Sequence, residues 1–390
     1  MNIIFFTHPL HSNFRSIQSF TEMLASGMKN RGHRVDIWVP KQILSKYTSH
    51  QTLRKWLGYF DQYIIFPIVA RQNILKKEAN TLYVFTDLAL GPWVPLVANK
   101  AHVIHCHDFL ALQSASGEIT ENRTSWTGKV YQSFIRKGYQ KGKHFISVSE
   151  KTNANLSNYL GKPVATQKIV YNGLKEAFRF INQNIGREYI RQKTNIPTTN
   201  GYFVHVGGNQ WYKNRIGAVE IYNAFRETYS DEIPFLLIGE RPSEDLLTTI
   251  QNSPFASDIH ILTDKDDQFI RHAYSGASAL LFPSLAEGFG WPIAEAMACG
   301  TLVITTNAAP MTEVGGTAAF YCNRKPTNVD QVDNWAKSCA ILLNKVVNLS
   351  PEDREIAVQA SRANAARFSL DGCLDEIESI YMNLSEEVRQ

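Results

Sequence analysis

Cysteine is scarce in this chain, and the few that occur form no recognisable pattern. The 390 residues include five cysteines, at positions 106, 299, 322, 339 and 373, and none of them stands in a Cys-x-x-Cys pair. An odd number of widely spaced cysteines excludes a disulfide framework and a cysteine-based zinc site. The cysteines therefore indicate reduced thiols and a cytoplasmic protein.

Long apolar runs are missing too. The most membrane-like stretch, residues 63–70, is short and contains Pro67, whereas a membrane-spanning helix needs about 20 apolar residues. The first nine residues carry no basic cluster and no small-residue cleavage site, so we expect no export signal. The sequence also has no low-complexity segment. It predicts a globular protein that does not cross a bilayer.

The net charge is only +4, but the basic residues are unevenly distributed. Between Lys41 and Lys77 the chain carries seven lysines and arginines against a single acidic residue, Asp61. Aromatic residues lie among these charges, namely Trp56, Tyr59, Phe60 and Tyr63. This composition suggests contact with an anionic membrane surface, and a solvated basic helix is the alternative interpretation. We expect no nucleic-acid partner.

Short apolar runs alternate with helical stretches along both halves of the chain. Predicted strands lie at residues 3–6, 35–39, 82–85, 103–106, 145–148 and 169–171, and then at 202–206, 235–239, 259–262, 279–282 and 302–305. Such alternation predicts parallel sheets with helices on both faces. The fold class is therefore α/β, with two doubly wound, Rossmann-like domains facing a cleft, at residues 1–178 and 179–365. Ligands bind such sheets at the carboxyl ends of the strands.

The most informative stretch, residues 282–300, predicts a strand, a glycine loop and a helix. Gly288 and Gly290 let backbone amides approach a ligand, and the helix N-terminus behind them favours negative charge. Two carboxylates, Glu287 and Glu295, are separated by seven residues. The first can accept hydrogen bonds from sugar hydroxyls, and the second can accept them from a ribose. Solvated surface carboxylates are the alternative.

Two further stretches carry polar residues after a predicted strand. Lys213 precedes a helix and follows a glycine turn, where a cation can neutralise a diphosphate leaving group without a metal. His105 and His107 alternate onto one face, as a metal pair would, but no carboxylate or cysteine stands at ligand spacing. A core or capping role is the common alternative for such histidines. Residues 264–267 are acidic, but they predict a loop before a helix rather than a metal-binding Asp-x-Asp element.

The stretch 282–300, with residues 314–319, resembles the retaining, nucleotide-sugar-dependent glycosyltransferases of family 4, which have the GT-B fold. The family's motif of two glutamates separated by seven residues stands here as Glu287 and Glu295. The resemblance is dense from Val204 to Ala319, and looser in residues 31–35, 148–150 and 170–173. It implies a C-terminal helix, at about 366–390, that packs back on the first domain.

The resemblance assigns roles to individual residues. Glu295 would bind the nucleotide ribose, and Glu287 would contact hydroxyls of the donor sugar. The implied catalytic residues are His107, which would face donor and acceptor across the cleft, Glu287 and Lys213. The implied donor-binding residues are Gly208, Asn209, Lys213, Arg215, Glu287, Gly288, Phe289, Gly290 and Glu295.

The chain also departs from the family pattern. The family's arginine falls at Gly208 or Asn209, so Arg215 is either its substitute or a solvated helix residue. Phe289 and Trp291 have packing in the core as their alternative. The loop from His8 to Arg15 lacks the family's glycines, so the acceptor side is expected to be built differently.

The activity that the resemblance implies is hexosyl transfer with retention. The donor would be UDP-glucose or a similar UDP-hexose, and the acceptor a hydroxyl of a saccharide or lipid-linked saccharide at the inner face of the membrane. Basic side chains and a helix dipole would stabilise the leaving group, with no metal and no cofactor. The alternatives are a catalytically silent GT-B sugar-nucleotide-binding protein and an epimerase or phosphorylase of the same fold. An NAD-dependent oxidoreductase is disfavoured, because no Gly-x-Gly-x-x-Gly follows the first strand.

Overall fold

The computed structural model describes residues 1–9, 15–78, 80–229 and 232–387 of the chain. They form two compact units. The first comprises residues 1–171 and 371–390, and the second comprises residues 172–370. The first unit thus ends at Tyr171 rather than at residue 178, and the second continues to Leu370 rather than to residue 365.

The first unit is a parallel sheet with the strand order β2-β1-β3-β4-β5-β6. Its strands are β1 (Asn2–Phe6), β2 (Arg34–Trp38), β3 (Thr81–Phe85), β4 (His102–Cys106), β5 (His144–Ser147) and β6 (Thr166–Ile169). Its helices are α1 (Arg15–Asn30), α2 (Gln51–Phe60), α3 (Phe66–Ile74), α4 (Leu110–Ser116), α5 (Trp126–Tyr139), α6 (Glu150–Leu160) and, as the last helix of the chain, α15 (Leu370–Glu387). A π-helical turn, Asp61–Ile65, joins α2 to α3.

The second unit repeats this plan with the strand order β12-β11-β10-β7-β8-β9, again all parallel. Its strands are β7 (Phe203–Gly207), β8 (Phe235–Gly239), β9 (Ile259–Thr263), β10 (Ala279–Phe282), β11 (Val303–Thr306) and β12 (Phe320–Cys322). Its helices are α7 (Gln183–Thr194), α8 (Arg215–Tyr229), α9 (Glu244–Gln251), α10 (Asp267–Gly276), α11 (Trp291–Ala298), α12 (Met311–Gly315), α13 (Val332–Val347) and α14 (Pro351–Ala365).

The central strands are buried along their whole length because helices cover both faces of each sheet. All residues of β3 and β4 are buried in the first unit, and all residues of β10 are buried in the second. Strands covered on both faces read as continuous hydrophobic runs rather than as alternating patterns. Burying one large apolar side chain contributes roughly 1.5–3 kcal/mol, so these runs are a main source of stability.

Local signals in the sequence fix where several helices begin. The Ser149 hydroxyl accepts a hydrogen bond from the Thr152 amide at the start of α6, and the Asp266 carboxylate does the same for Phe269 in α10. Each such cap contributes about 1 kcal/mol to helix stability. The acidic stretch 264–267 thus caps and begins a helix, as the sequence predicts.

The last helix, α15, belongs to the first unit although it follows the second in sequence. Arg31 donates to Asp375 over 2.6 Å and lies 3.2 Å from Glu378. Behind these exposed charges, the buried Tyr381 hydroxyl lies 2.6 Å from Nε2 of His105 on β4. The helix is therefore held by ion pairs at the surface and by a polar contact in the core.

The predicted fold class is confirmed, because two six-stranded parallel sheets are present with helices around them. One strand is displaced, since β6 ends at Ile169, where a strand over 169–171 was predicted. The loop predicted from His8 to Arg15 lies largely outside the described residues. Within the described ranges, no helix is both long and apolar enough to span a membrane.

Candidate functional site

The glycine loop after β10 has the geometry that the sequence predicts. Gly290 adopts φ +104°, a conformation that side-chain-bearing residues rarely take. It stands immediately before α11, and Pro292 occupies the first turn of that helix, where a missing N–H costs nothing. The loop therefore ends on a helix N-terminus, which favours an anion.

Glu287 and Lys213 form a buried ion pair at this loop. The Lys213 ammonium donates to both carboxylate oxygens of Glu287, over 2.8 and 2.9 Å. The Ser284 hydroxyl lies 2.6 Å from Oε1 of the same carboxylate. Only 14% of the Lys213 side chain and 7% of the Glu287 side chain are exposed. Both residues are therefore parts of one site, and the alternatives of a surface charge and a solvated carboxylate are wrong.

Backbone and side-chain contacts hold the two loops of this site together. The amide of Leu285 donates to the carbonyl of Tyr212 over 2.7 Å, and Ser284 contacts the same carbonyl. Asn214 adopts a left-handed conformation and donates from Nδ2 to the carbonyl of Pro283 over 2.8 Å. The Lys213 ammonium also lies 5.2 Å from the ring centre of Phe282, within reach of a cation–π interaction. These contacts fix the position of Lys213 before any ligand binds.

Arg215 is buried at the start of α8, so its interpretation as a solvated helix residue is wrong. Its Nη1 donates to Oδ1 of Asn209 over 2.8 Å and to the carbonyl of Glu240 over 3.0 Å. Its Nε and Nη2 have no hydrogen-bond partner among the described residues. Burial lowers the pKa of the guanidinium. A buried cation with two unpaired donors can bind an anion at low desolvation cost, since that cost is already incurred.

Gly208 and Asn209 occupy the turn between β7 and Lys213. The amide of Asn209 donates to Oε2 of Glu240 over 3.1 Å, so this amide already has a carboxylate as its hydrogen-bond partner. A side chain at Gly208 would come within 2.9 Å of the Glu240 carboxyl carbon. A larger residue at position 208 would thus require the Gln210 and Glu240 side chains to move. Glu240 is a neighbour that the sequence did not reveal.

Glu295 lies within α11, one turn in from the helix start. The Tyr274 hydroxyl donates to its Oε2 over 3.1 Å. Burial raises the pKa of Glu295 to about 7, and the hydrogen bond from Tyr274 and the charge of Lys175 offset part of this rise. The carboxyl group can therefore change its charge near neutral pH.

The side chain of Phe289 packs in the core, as the alternative interpretation of this residue expected. The ring is buried, and its centre lies 5.5 Å from that of Trp291 and 5.4 Å from that of Phe368. At Gly288, Phe289 and Gly290, backbone groups are therefore the parts that can face a ligand. The resemblance likewise implies that backbone groups at these three residues contact the donor.

The first unit contains a second polar cluster, after β1, β3 and β4. His8 Nε2 lies 2.8 Å from Oδ2 of Asp87. Burial would raise the pKa of Asp87, but the hydrogen bond and charge of His8 hold it below its usual value. His107 Nε2 lies 3.0 Å from the carbonyl of Thr86, which can only accept, so this nitrogen carries the proton. Burial lowers the pKa of His107 and keeps the ring neutral.

His105 does not join that cluster. It is fully buried and bonds to Tyr381 of α15, and burial lowers its pKa to about 3. Among the described residues, no three histidine, cysteine, aspartate or glutamate side chains lie together as a metal-binding group. Both rings pack against Phe20, with centres 5.3 Å (His105) and 4.6 Å (His107) from its own, so the two histidines do share one face. They bond to different partners, and His105 has the core role that was its alternative.

Sequence reasoning missed several neighbours of the predicted residues. Ser284 stands within the glycine-loop stretch, so its place in the sequence could have suggested it. Tyr274, Glu240, His8 and Asp87 carry no spacing signal, because each reaches its partner only through the fold.

Two family models match the chain. "Glycosyltransferase Family 4" matches residues 17–178, and "Glycosyl transferases group 1" matches residues 186–345. The first match lies mainly in the first unit and the second lies within the second unit. Together they cover most of the chain.

Two curated relatives are similar in sequence. O-antigen chain mannosyltransferase B of Escherichia coli is 29% identical over 184 residues, covering 46% of this chain and 45% of that protein. O-antigen chain mannosyltransferase RfbU of Salmonella typhimurium is 24% identical over 202 residues, covering 51% of this chain and 52% of that protein. The chain spans about half the length of the curated relatives it matches.

A solved structure shares the fold over nearly the whole chain. Anabaena HepE, in complex with UDP and glucose, has a TM-score of 0.69 at 16% identity, covering 98% of this chain and 100% of that one. A sequence identity this low supports a shared fold and no statement about function. Because one family model matches in each unit and the fold agrees, this chain belongs to family 4 of the glycosyltransferases and has their GT-B fold.

Proposed function

We propose that this chain transfers a hexose from a nucleoside-diphosphate sugar to a hydroxyl of a saccharide or lipid-linked saccharide, with retention at the anomeric carbon. The observation that carries the proposal is the buried Lys213–Glu287 pair at the glycine loop. It places a cation for a diphosphate and a carboxylate for sugar hydroxyls at one point of the second unit. Turnover of the donor distinguishes transfer from a catalytically silent binding protein, because binding alone releases no nucleoside diphosphate.

In this proposal the donor diphosphate replaces the Glu287 carboxylate as the partner of the Lys213 ammonium. The bond from the anomeric carbon to the phosphate oxygen breaks, and the electron pair leaves with the nucleoside diphosphate. Lys213, Arg215 and the N-terminus of α11 stabilise the developing negative charge. The acceptor hydroxyl attacks from the face that the leaving group vacates, and its proton passes to the departing phosphate oxygen. No covalent intermediate on the protein is required.

Glu295 and Glu287 divide the remaining contacts. Glu295 accepts hydrogen bonds from the ribose hydroxyls, and Glu287 accepts them from the transferred sugar once Lys213 has turned to the phosphates. His107, whose neutral ring has Nδ1 as its acceptor, positions a sugar hydroxyl by accepting a hydrogen bond from it. Gly208, Asn209 and the backbone at Gly288 and Gly290 complete the proposed donor contacts.

The donor we propose is UDP-glucose or a similar UDP-hexose. The fold that this chain shares with HepE, whose structure contains UDP and glucose, supports it. A mannose nucleotide is the second candidate, because both curated relatives are named mannosyltransferases. These names also support an acceptor in the synthesis of an O-antigen or a related polysaccharide.

A donor panel tests the proposal directly. Release of nucleoside diphosphate is measured with UDP-glucose, UDP-galactose, UDP-N-acetylglucosamine and GDP-mannose, each in excess chelator. We expect one donor to be hydrolysed or transferred, and we expect Lys213→Gln to lower kcat by about 10²–10³. The matched control Lys345→Gln removes an exposed lysine of the second unit. No turnover of any donor, or equal activity of both variants, would overturn the proposal.

A further inference from the structure

One surface of the first unit exposes several large apolar side chains close together. Helix α2, the π-helical turn and α3 run without a break from Gln51 to Ile74, and α2 contains no buried residue. A stripe of half-exposed apolar side chains follows this run at spacings of three or four residues. Its members are Leu53, Trp56, Phe60, Ile64 and Ile68.

Helix α5 extends this surface. It contacts the stripe's helix through Tyr131, whose ring centre lies 5.9 Å from that of Tyr59 and whose hydroxyl lies 2.6 Å from that of Tyr63. On its outer side α5 exposes Trp126, Val130 and Phe134, again four residues apart. Trp126 is 76% exposed and Trp56 is 63% exposed. We call the stripe on residues 51–74 and these three α5 residues together the aromatic face.

The exposed charges within residues 41–77, around the aromatic face, are all positive. Six cations there are exposed, namely Lys41, Lys46, Arg54, Lys55, Arg71 and Lys76. The only carboxylate of this segment, Asp61, is 3% exposed and turned inward. It accepts hydrogen bonds from the amides of Ile43, Leu44 and Ser45. Its charge therefore fixes the preceding loop and does not neutralise the surface. Helix α5 carries no acidic residue either.

We propose that the aromatic face docks on the surface of an anionic lipid bilayer. Large exposed apolar patches mark interaction sites. Tryptophan and tyrosine rings suit the boundary between lipid headgroups and acyl chains. An amphipathic helix flanked by lysine and arginine lies in that boundary, drawn there by anionic headgroups. The six exposed cations select an anionic surface, and the structure adds α5 to the 41–77 segment that the sequence indicated.

Binding to vesicles tests the proposal, and it does not depend on transfer activity. The full chain is co-sedimented with vesicles of phosphatidylcholine alone and of phosphatidylcholine with phosphatidylglycerol. We expect binding to the mixed vesicles only, weakened by added salt. Arg54→Gln with Lys55→Gln should weaken it about 25-fold, taking about fivefold for each cation. Trp56→Ser with Phe60→Ser, and Trp126→Ser alone, should also weaken it.

Matched variants in the second unit control for general effects. Lys193→Gln with Lys345→Gln removes the same charge, and Ile341→Ser with Ile356→Ser removes comparably exposed apolar side chains. Both should bind vesicles as the unmodified chain does. The proposal is overturned if the mixed vesicles are not bound, or if test and control variants lose binding equally. It is also overturned if the unmodified chain instead forms a dimer that Trp56→Ser with Phe60→Ser dissociates, because a second copy would then cover the face.

Nucleotide binding by the same variants separates this proposal from the function proposed above. Calorimetry with UDP and with GDP should give the same affinities for the vesicle-binding variants and for the unmodified chain. Loss of vesicle binding with nucleotide binding intact confirms the docking surface by itself. Vesicle binding that persists in a chain without any nucleotide affinity would instead count against the proposed function alone.

Discussion

At the scale of single residues, Glu295 predicts a pH dependence of nucleotide binding. Its pKa of about 7 means that the charged form, the stronger hydrogen-bond acceptor, is lost as the pH falls through neutrality. A hydrogen bond to a charged acceptor is worth about 1 kcal/mol more than one to a neutral acceptor. We therefore expect the affinity for the nucleoside diphosphate to fall about fivefold between about pH 8 and about pH 6.

Calorimetry across this pH range measures the effect, and Glu295→Gln is the control. The ligand's phosphate also titrates near pH 6, and it does so equally with both proteins. The difference between the two pH profiles therefore isolates Glu295. Parallel profiles for the variant and the unmodified chain would refute the role of this carboxylate in binding the nucleotide.

The two glutamates should also differ in which kinetic constant they affect. Glu295→Gln should raise KM for the donor and weaken free nucleoside diphosphate together, by about fivefold at about pH 8, because the amide is a neutral acceptor. Both constants should change because the proposed ribose contact is the same in ground and transition states. Glu287→Gln should lower kcat chiefly, since in the proposed mechanism its carboxylate contacts the transferred sugar, and in the structure it holds Lys213. Steady-state kinetics and calorimetry on both variants decide it. If Glu287→Gln abolishes nucleotide binding while Glu295→Gln spares it, the roles are reversed.

The sequence could place the site residues but not their pairing. Glu287, Glu295 and Lys213 stand at motif positions, so their location after strands was predictable. The Lys213–Glu287 pair was not, because the partners lie 74 positions apart in the sequence. It forms because β7 and β10 are neighbours in the sheet, which brings their following loops together. His8 and Asp87 meet for the same reason, since they follow the neighbouring strands β1 and β3.

At the scale of elements, the start of α11 depends on one backbone conformation. Gly290 has φ +104°, and a Cβ there would meet the Ile293 side chain at 3.3 Å. Gly290→Ala should therefore lower the free energy of unfolding by about 1–2 kcal/mol and weaken nucleotide binding. Gly58→Ala is the matched control, because Gly58 lies within α2 with open space around it.

In an α-helix, alanine is favoured over glycine by up to about 1 kcal/mol. Gly58→Ala should therefore leave stability unchanged or raise it, and it should leave nucleotide binding unaltered. Urea unfolding followed by circular dichroism measures both variants. Equal destabilisation by the two substitutions would show that the conformation of Gly290 is not what the loop requires.

The elements themselves were predictable to different degrees. Buried central strands such as β3, β8 and β10 are short, nearly continuous apolar runs, and the sequence locates them within a residue or two. The edge strand β12 has three residues and was not predicted, because so short a run resembles a loop. Its pairing with β11 comes from the sheet rather than from any pattern of its own.

At the scale of the whole molecule, buried neutral histidines make stability depend on pH. Burial lowers the pKa of His102 to about 4 and of His105 and His205 to about 3. The unfolded chain binds a proton at each below about pH 6.5, while the folded chain does not. Stability should therefore fall as the pH falls from about 6.5, by up to about 1.4 kcal/mol per pH unit for each histidine.

Glu295 acts in the opposite direction, because its pKa is raised by burial. Its contribution to stability is complete below about pH 4 and is lost as the pH rises through about 7. These three histidines outnumber the one glutamate, and burial also lowers the pKa of His107 and His260, which acts in the same direction as they do. We therefore expect maximum stability at about pH 6.5 to 7 and a steep decline towards about pH 5. Urea unfolding across this range measures the slope of the free energy of unfolding against pH.

The variant His205→Asn tests one of these histidines, whose Nδ1 donates to the carbonyl of Leu281 over 2.9 Å. It should lower stability, and below about pH 6 it should reduce the slope by about 1.4 kcal/mol per pH unit, the amount for one proton. An unchanged slope would show that His205 is already charged in the folded chain.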